Sequence, residues 1–115
     1  MKKYILAGIL FLISSSSFAG YLVPSPIIGI YISKEGVVRF NVQKAAIDTC
    51  NYFDYRFAFD ASTPGGKSML SLLLSAKIAN KNVNVWYDPS PTPGTTKDDG
   101  CTKSTLAQAT HIGLP

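Results

Sequence analysis

A chain of 115 residues, 46% of them hydrophobic, has room for one domain built around one core. Its formal net charge is +4, but Lys2 and Lys3 supply two of those charges and the basic residues from Lys34 to Lys103 are scattered singly. No basic run exists to neutralise a row of phosphates, which argues against nucleic acid as a partner.

In chain order, Lys2 and Lys3 precede the apolar run Tyr4–Ile13, the serines Ser14–Ser17 and the small-residue site ending at Ala19. This pattern predicts a secretory signal peptide over residues 1–19, cleaved after Ala19. The run is short for a membrane span, and no later segment approaches one. No cysteine stands at the cleavage point, so a lipoprotein is not expected. The expected product is a single domain, residues 20–115, secreted or periplasmic.

Tyr21–Pro26 reads as a proline-bearing lead-in. Ile27–Ser33 and Val37–Val42 then form a predicted hairpin around the turn Lys34-Glu35-Gly36. Gln43–Phe53 is a connection carrying Cys50. Tyr55–Asp60 alternates aromatics with Arg56, Ala58 and Asp60, the period of a half-buried strand. Thr63 stands where an N-cap belongs and Pro64 at the first helical position.

The helix places Met69, Leu70, Leu73, Ala76 and Lys77 on one side and serines on another. Leu74 and Ile78 lie away from that core face, which marks them as candidates for self-association. Asn80-Lys81-Asn82 ends the helix, since asparagine tolerates left-handed geometry. Val83, Val85 and Tyr87 alternate with Asn84 and Trp86 in a further strand. Pro89–Gly100 is a long exposed loop, and Leu106–Leu114 is the last strand. Five strands with a helix between the third and fourth is the order of the OB-fold, a small five-stranded barrel. An open α+β sandwich is the competing architecture.

Cys50 and Cys101 are the two cysteines, and in an exported protein they are expected to pair. Two cysteines and one distant histidine do not make a zinc site, and no metal or cofactor is expected. Residues Ala61–Ser68 match a relaxed phosphate-loop pattern, but Pro64 removes one cradling N–H and one helix cannot cover a parallel sheet. A plain helix start is the expected reading. His111, the single histidine, has no evident nucleophile or orienting carboxylate, and no serine sits in a nucleophile-elbow context. No enzymatic activity is expected.

The aromatics Tyr52, Phe53, Tyr55, Trp86 and Tyr87 bracket the strands on either side of the helix. With Asn84 nearby, they suit the apolar face of a sugar ring or a peptide. Trp86, Tyr87, Asn84, Tyr52 and Tyr55 are therefore the candidate ligand-binding residues.

The run Ala58–Ala76 carries Ala58, Phe59, Asp60, Thr63, Pro64, Gly66, Lys67, Leu70, Ser71, Leu73, Leu74 and Ala76 in a fixed spacing between two cysteines. It resembles a group of small exported gammaproteobacterial proteins, a resemblance that implies no activity. In length, in the helix leading into Asn82–Asp88 and in the closing Ile112-Gly113-Leu114, the chain also resembles B subunits of subtilase-cytotoxin and pertussis-type toxins. That resemblance implies a disulfide-bonded OB-fold, five-membered rings and sialylated glycan ligands. The chain departs from those subunits in its expected single disulfide and in Gly65-Gly66 at the helix start, and no glycan-contacting residue carries over. The expectation is an exported non-enzymatic binding module, glycan-binding and able to form homo-oligomers. The alternative is a monomeric periplasmic interaction or inhibitor protein.

Overall fold

The computed structural model describes residues 20–44 and 46–115; the expected signal peptide lies outside them. Five strands, β1 (Gly20–Ile32), β2 (Val37–Val42), β3 (Phe57–Asp60), β4 (Asn82–Asp88) and β5 (Ala107–Gly113), enclose the core, and one helix, α1 (Pro64–Ile78), separates β3 from β4. They close into a barrel in the order β1-β2-β3-β5-β4. This is the expected OB-type connectivity, and the open sandwich is excluded by the closure.

Residues 21–26 are not a lead-in but the first half of β1. Gly20–Pro26 pairs with β4 and Ile27–Ile32 pairs with β2, so one long strand serves both neighbours. Prolines usually argue against a paired strand. Here Pro24 falls in the register shift between Leu22 and Ser25, where no ladder bond is asked of it. β3 joins β5 by a short parallel contact, Phe57 to Ala107 and Ala58 to Gln108; the other pairings are antiparallel.

Val38, Phe40, Phe57, Phe59, Val83, Val85 and Tyr87 point inward from alternating positions and fill the barrel. The helix adds Leu73 and Ala76, with Met69 and Leu70 half-buried beside them. Its N-terminus forms as the residues dictate: the Thr63 hydroxyl accepts from Gly66 N at 3.0 Å, and Pro64 opens the first turn. Its C-terminus closes at Asn80, φ 58°, with Asn80 N donating to Lys77 O and Lys81 N to Ala76 O.

Cys50 and Cys101 are bonded, their Cα atoms 5.8 Å apart across 51 positions. With Ala58 and Leu106 they form a second, smaller buried cluster, against which Tyr52 and Tyr55 pack. The 89–100 loop is exposed over most of its length but is not free. Ser90 N donates to Asp48 O, Gly94 N to Thr49 O and Asn51 N to Thr95 O, which laces it to the segment before β3. No helix among the described residues is long and apolar enough to cross a membrane.

Candidate functional site

Strand β3 starts at Phe57 rather than Tyr55 because the chain first makes a tight turn. Tyr52 and Tyr55 exchange both backbone hydrogen bonds at 3.0 Å, leaving Phe53 and Asp54 as the two turn residues. Their φ angles, 49° and 69°, are those of a type I′ turn. Glycine and asparagine are the usual occupants, and the left-handed region costs a side chain such as phenylalanine about 1–2 kcal/mol. Two side-chain amides hold the turn in place. Asn41 Nδ2 donates to Asp54 O at 2.7 Å, and Asp54 N donates to Asn51 Oδ1 at 2.8 Å. The outcome is a phenylalanine ring left 59% exposed, with Tyr52 edge-on at 4.7 Å and the Lys97 ammonium 5.2 Å over its face.

Phe53 forms one wall of a cleft of about 390 Å³ whose other aromatic walls are Tyr31, Tyr52 and Tyr55. Tyr31 comes from β1, and its ring lies 5.9 Å from that of Tyr55. Arg39, its cross-strand partner on β2, lays its guanidinium 5.4 Å over the Tyr31 ring. Arg39 Nε is buried and without a hydrogen-bond partner among the described residues. The β1–β2 turn contributes Ser33 and Glu35, and the β4–β5 loop contributes Lys103, two residues beyond the disulfide. The cleft thus lies over the outer side of the barrel between those two loops, the region where OB barrels take oligosaccharides and oligonucleotides.

Of the candidates named from sequence, Tyr52 and Tyr55 line this cleft. Trp86 and Asn84 belong to a separate surface. Trp86 stands on the outer face of β4 between Tyr21 of β1, at 4.9 Å, and His111 of β5, at 6.1 Å. Asn84 Nδ2 donates to the Tyr21 hydroxyl at 3.0 Å. Tyr87 is on neither surface, and its place among the ligand-binding candidates is corrected. It is 1% exposed, its ring packs on Phe57, and its hydroxyl donates to Ile47 O at 2.8 Å. Alternation with Val83 and Val85 assigns it to the barrel interior. Leu74 and Ile78 are exposed, at 37% and 85%, as the helix pattern implies.

Sequence reasoning leaves Tyr31, Arg39 and Lys103 out of the site, and it names Phe53 only as one of a set of aromatics. The first three meet through register and the disulfide, which no local pattern encodes. Chemically the cleft offers flat apolar faces, hydroxyls, and the cations Arg39 and Lys103 beside one carboxylate, Glu35. His111 is exposed, its Nδ1 3.0 Å from the Thr110 hydroxyl. No cluster of three or more His, Cys, Asp or Glu residues that could hold a metal occurs among the described residues. In comparisons with known proteins, no protein-family profile, no curated protein and no solved structure matches the chain.

Proposed function

We propose that the protein is an exported, non-enzymatic binding module whose aromatic cleft takes a saccharide. The observation that carries this reading is the Tyr52–Tyr55 turn. It keeps Phe53 in a left-handed backbone conformation and in solvent, when either a glycine or a buried ring would favour folding. Strain retained beside a concave site points to use of that site. Rings presented edge to face around a cleft stack on the apolar faces of sugars, while the tyrosine hydroxyls, Ser33 and Glu35 can pair with sugar hydroxyls. Export is supported by the pattern of residues 1–19 and by the Cys50–Cys101 bond.

The test is a glycan array probed with the exported, disulfide-bonded protein. Phe53→Gly is expected to weaken binding at least tenfold while stability holds or rises by up to about 1 kcal/mol, since glycine relieves the left-handed strain. Glycan binding that survives both Phe53→Gly and Tyr31→Ala would contradict the assignment of the cleft.

A second reading, self-association through α1, is favoured by the exposure of Leu74 and Ile78 on the helix. It is compatible with the first and resembles the ring-forming toxin subunits. A monomeric interaction or inhibitor protein is the outcome if neither glycan binding nor association is found.

A further inference from the structure

The helix α1 has an outer face that neither the barrel core nor the aromatic cleft uses. Lys67, Leu74 and Ile78 follow at intervals of seven and four residues, which sets them in one stripe, and Leu74 and Ile78 are exposed along it. Two neighbours extend that face. Lys77 Nζ donates to Ile27 O at 3.2 Å, which brings the exposed Ile28 of β1 alongside the helix. Beyond the helix end, Lys81 and Asn82 meet Leu114 and Pro115 around a hollow of about 190 Å³. One end of the barrel thus gathers Ile28, Leu74, Ile78 and Leu114, all exposed, about Lys77 and Lys81.

The side chains at this end carry charge of one sign. No Asp or Glu occurs between Asp60 and Asp88 or after Asp99. Asp60 precedes the opposite end of α1, held by Ser62, and Asp88 is at the far end of β4 from Asn82. Glu35 lies in the β1–β2 turn, Asp48 and Asp54 in the connection before β3, and Asp98 and Asp99 in the loop after β4. A chain end at Pro115 adds one carboxylate beside Lys81. Lys67 and Lys77 have no carboxylate side chain within ion-pair distance among the described residues. This composition discriminates between occupants. Protein interfaces favour aromatics and arginine and are poor in lysine, and a second copy docked two-fold would set these lysines against their own counterparts. Aliphatic side chains between lysines suit the boundary of an anionic bilayer, because the lysine stems lie along apolar surface while the ammonium groups reach lipid phosphates. At 15 residues, α1 is short for crossing a bilayer and is fitted to lie on one.

We propose that this face rests on an anionic membrane surface, with Leu74, Ile78 and Leu114 at the headgroup boundary and Lys67, Lys77 and Lys81 meeting lipid phosphates. With so few aliphatic side chains the association is peripheral and reversible. Each lysine near the surface strengthens it about fivefold. None of these residues lines the aromatic cleft, so the inference stands apart from the saccharide reading.

The experiment is vesicle co-sedimentation of the disulfide-bonded residues 20–115, which hold every element of the barrel and leave out the apolar run of residues 4–13. Vesicles of phosphatidylcholine alone are compared with vesicles that also contain phosphatidylglycerol. Binding to the anionic vesicles is expected to be at least tenfold tighter than to the neutral ones, and to fall as salt is raised. Lys67→Gln with Lys81→Gln should remove most of that preference. Ile78→Ser should weaken binding to the anionic vesicles severalfold, and since all three side chains are exposed the thermal midpoint should hold in both variants. Equal binding to both vesicle types overturns the inference, as does anionic binding that survives Ile78→Ser and the lysine pair. Absence of vesicle binding overturns it too. If light scattering then shows an assembly that Ile78→Ser dissociates, the occupant of the face is a second copy instead.

Discussion

Gly66 meets backbone where no side chain fits: a Cβ there would fall on the Asp60 carbonyl at the end of β3. Its N–H is also taken by the Thr63 hydroxyl, while Asp60 accepts from Ser62. The stretch that mimics a phosphate loop is therefore a strand-to-helix corner whose own groups use those donors. Gly66→Ala is expected to cost about 1–3 kcal/mol by overpacking. Gly65 faces open space, so Gly65→Ala should stabilise by up to about 1 kcal/mol through helix propensity. Urea denaturation of the two variants checks this, and equal effects would show that the corner is not packed as described. Tyr87 gives a pH signature at the same scale. Burial, and then the charge of Asp48, push its phenol above the ordinary value. The unfolded chain ionises near pH 10 while the folded chain still holds its proton. Stability is therefore unaffected below that pH and falls as pH rises from there towards the folded value. Tyr87→Phe should remove this alkaline decline while costing about 1 kcal/mol at neutral pH for the lost bond to Ile47 O. An unchanged alkaline slope in that variant would contradict the burial of the phenol.

Among the elements, those with local punctuation are legible in the sequence. β2 has the bounds that alternation gives it, and α1 starts at its threonine cap and ends at its left-handed asparagine. β1 is legible only from Ile27 onward, because Pro24 and Pro26 signal interruption, whereas in the barrel Pro24 falls at a register shift and Pro26 stays paired with Asn82. The site is legible in half. Tyr52 and Tyr55 stand out as aromatics near a cysteine, but Arg39 reads as one of several outward residues until Tyr31 is placed across from it. Alternation separates Trp86 from Tyr87 without stating which of them faces the core; the buried Val83 and Val85 decide it. The disulfide links the site's two loop systems, since Cys50 precedes the Tyr52 turn and Cys101 precedes Lys103. Cys101→Ala should therefore cost a few kcal/mol, about 4 on the chain-entropy account. It should also loosen the Lys103 side of the cleft, which amide hydrogen exchange over residues 96–106 would detect. Unchanged stability and exchange would mean that the backbone bonds between the 89–100 loop and residues 48–51 suffice alone.

At the scale of the whole molecule, the surfaces that stand out among the described residues are the aromatic cleft of Tyr31, Tyr52, Phe53 and Tyr55, the Tyr21–Trp86–His111 patch, and the apolar helix positions Leu74 and Ile78. If α1 mediates self-association, Leu74→Lys should dissociate the assembly more than it destabilises the fold, because the ion would be buried unpaired only in the assembled state. Light scattering at high protein concentration reads this. A monomer in the parent protein ends the ring reading and leaves the saccharide cleft untouched. The cleft itself is the central claim, and its most direct test is an amide NMR titration of the disulfide-bonded protein with the tightest glycan from the array. The account predicts shifts concentrated at Tyr31, Arg39 and Tyr52–Tyr55. Shifts concentrated instead at Tyr21, Asn84, Trp86 and His111, or along the helix, would contradict it.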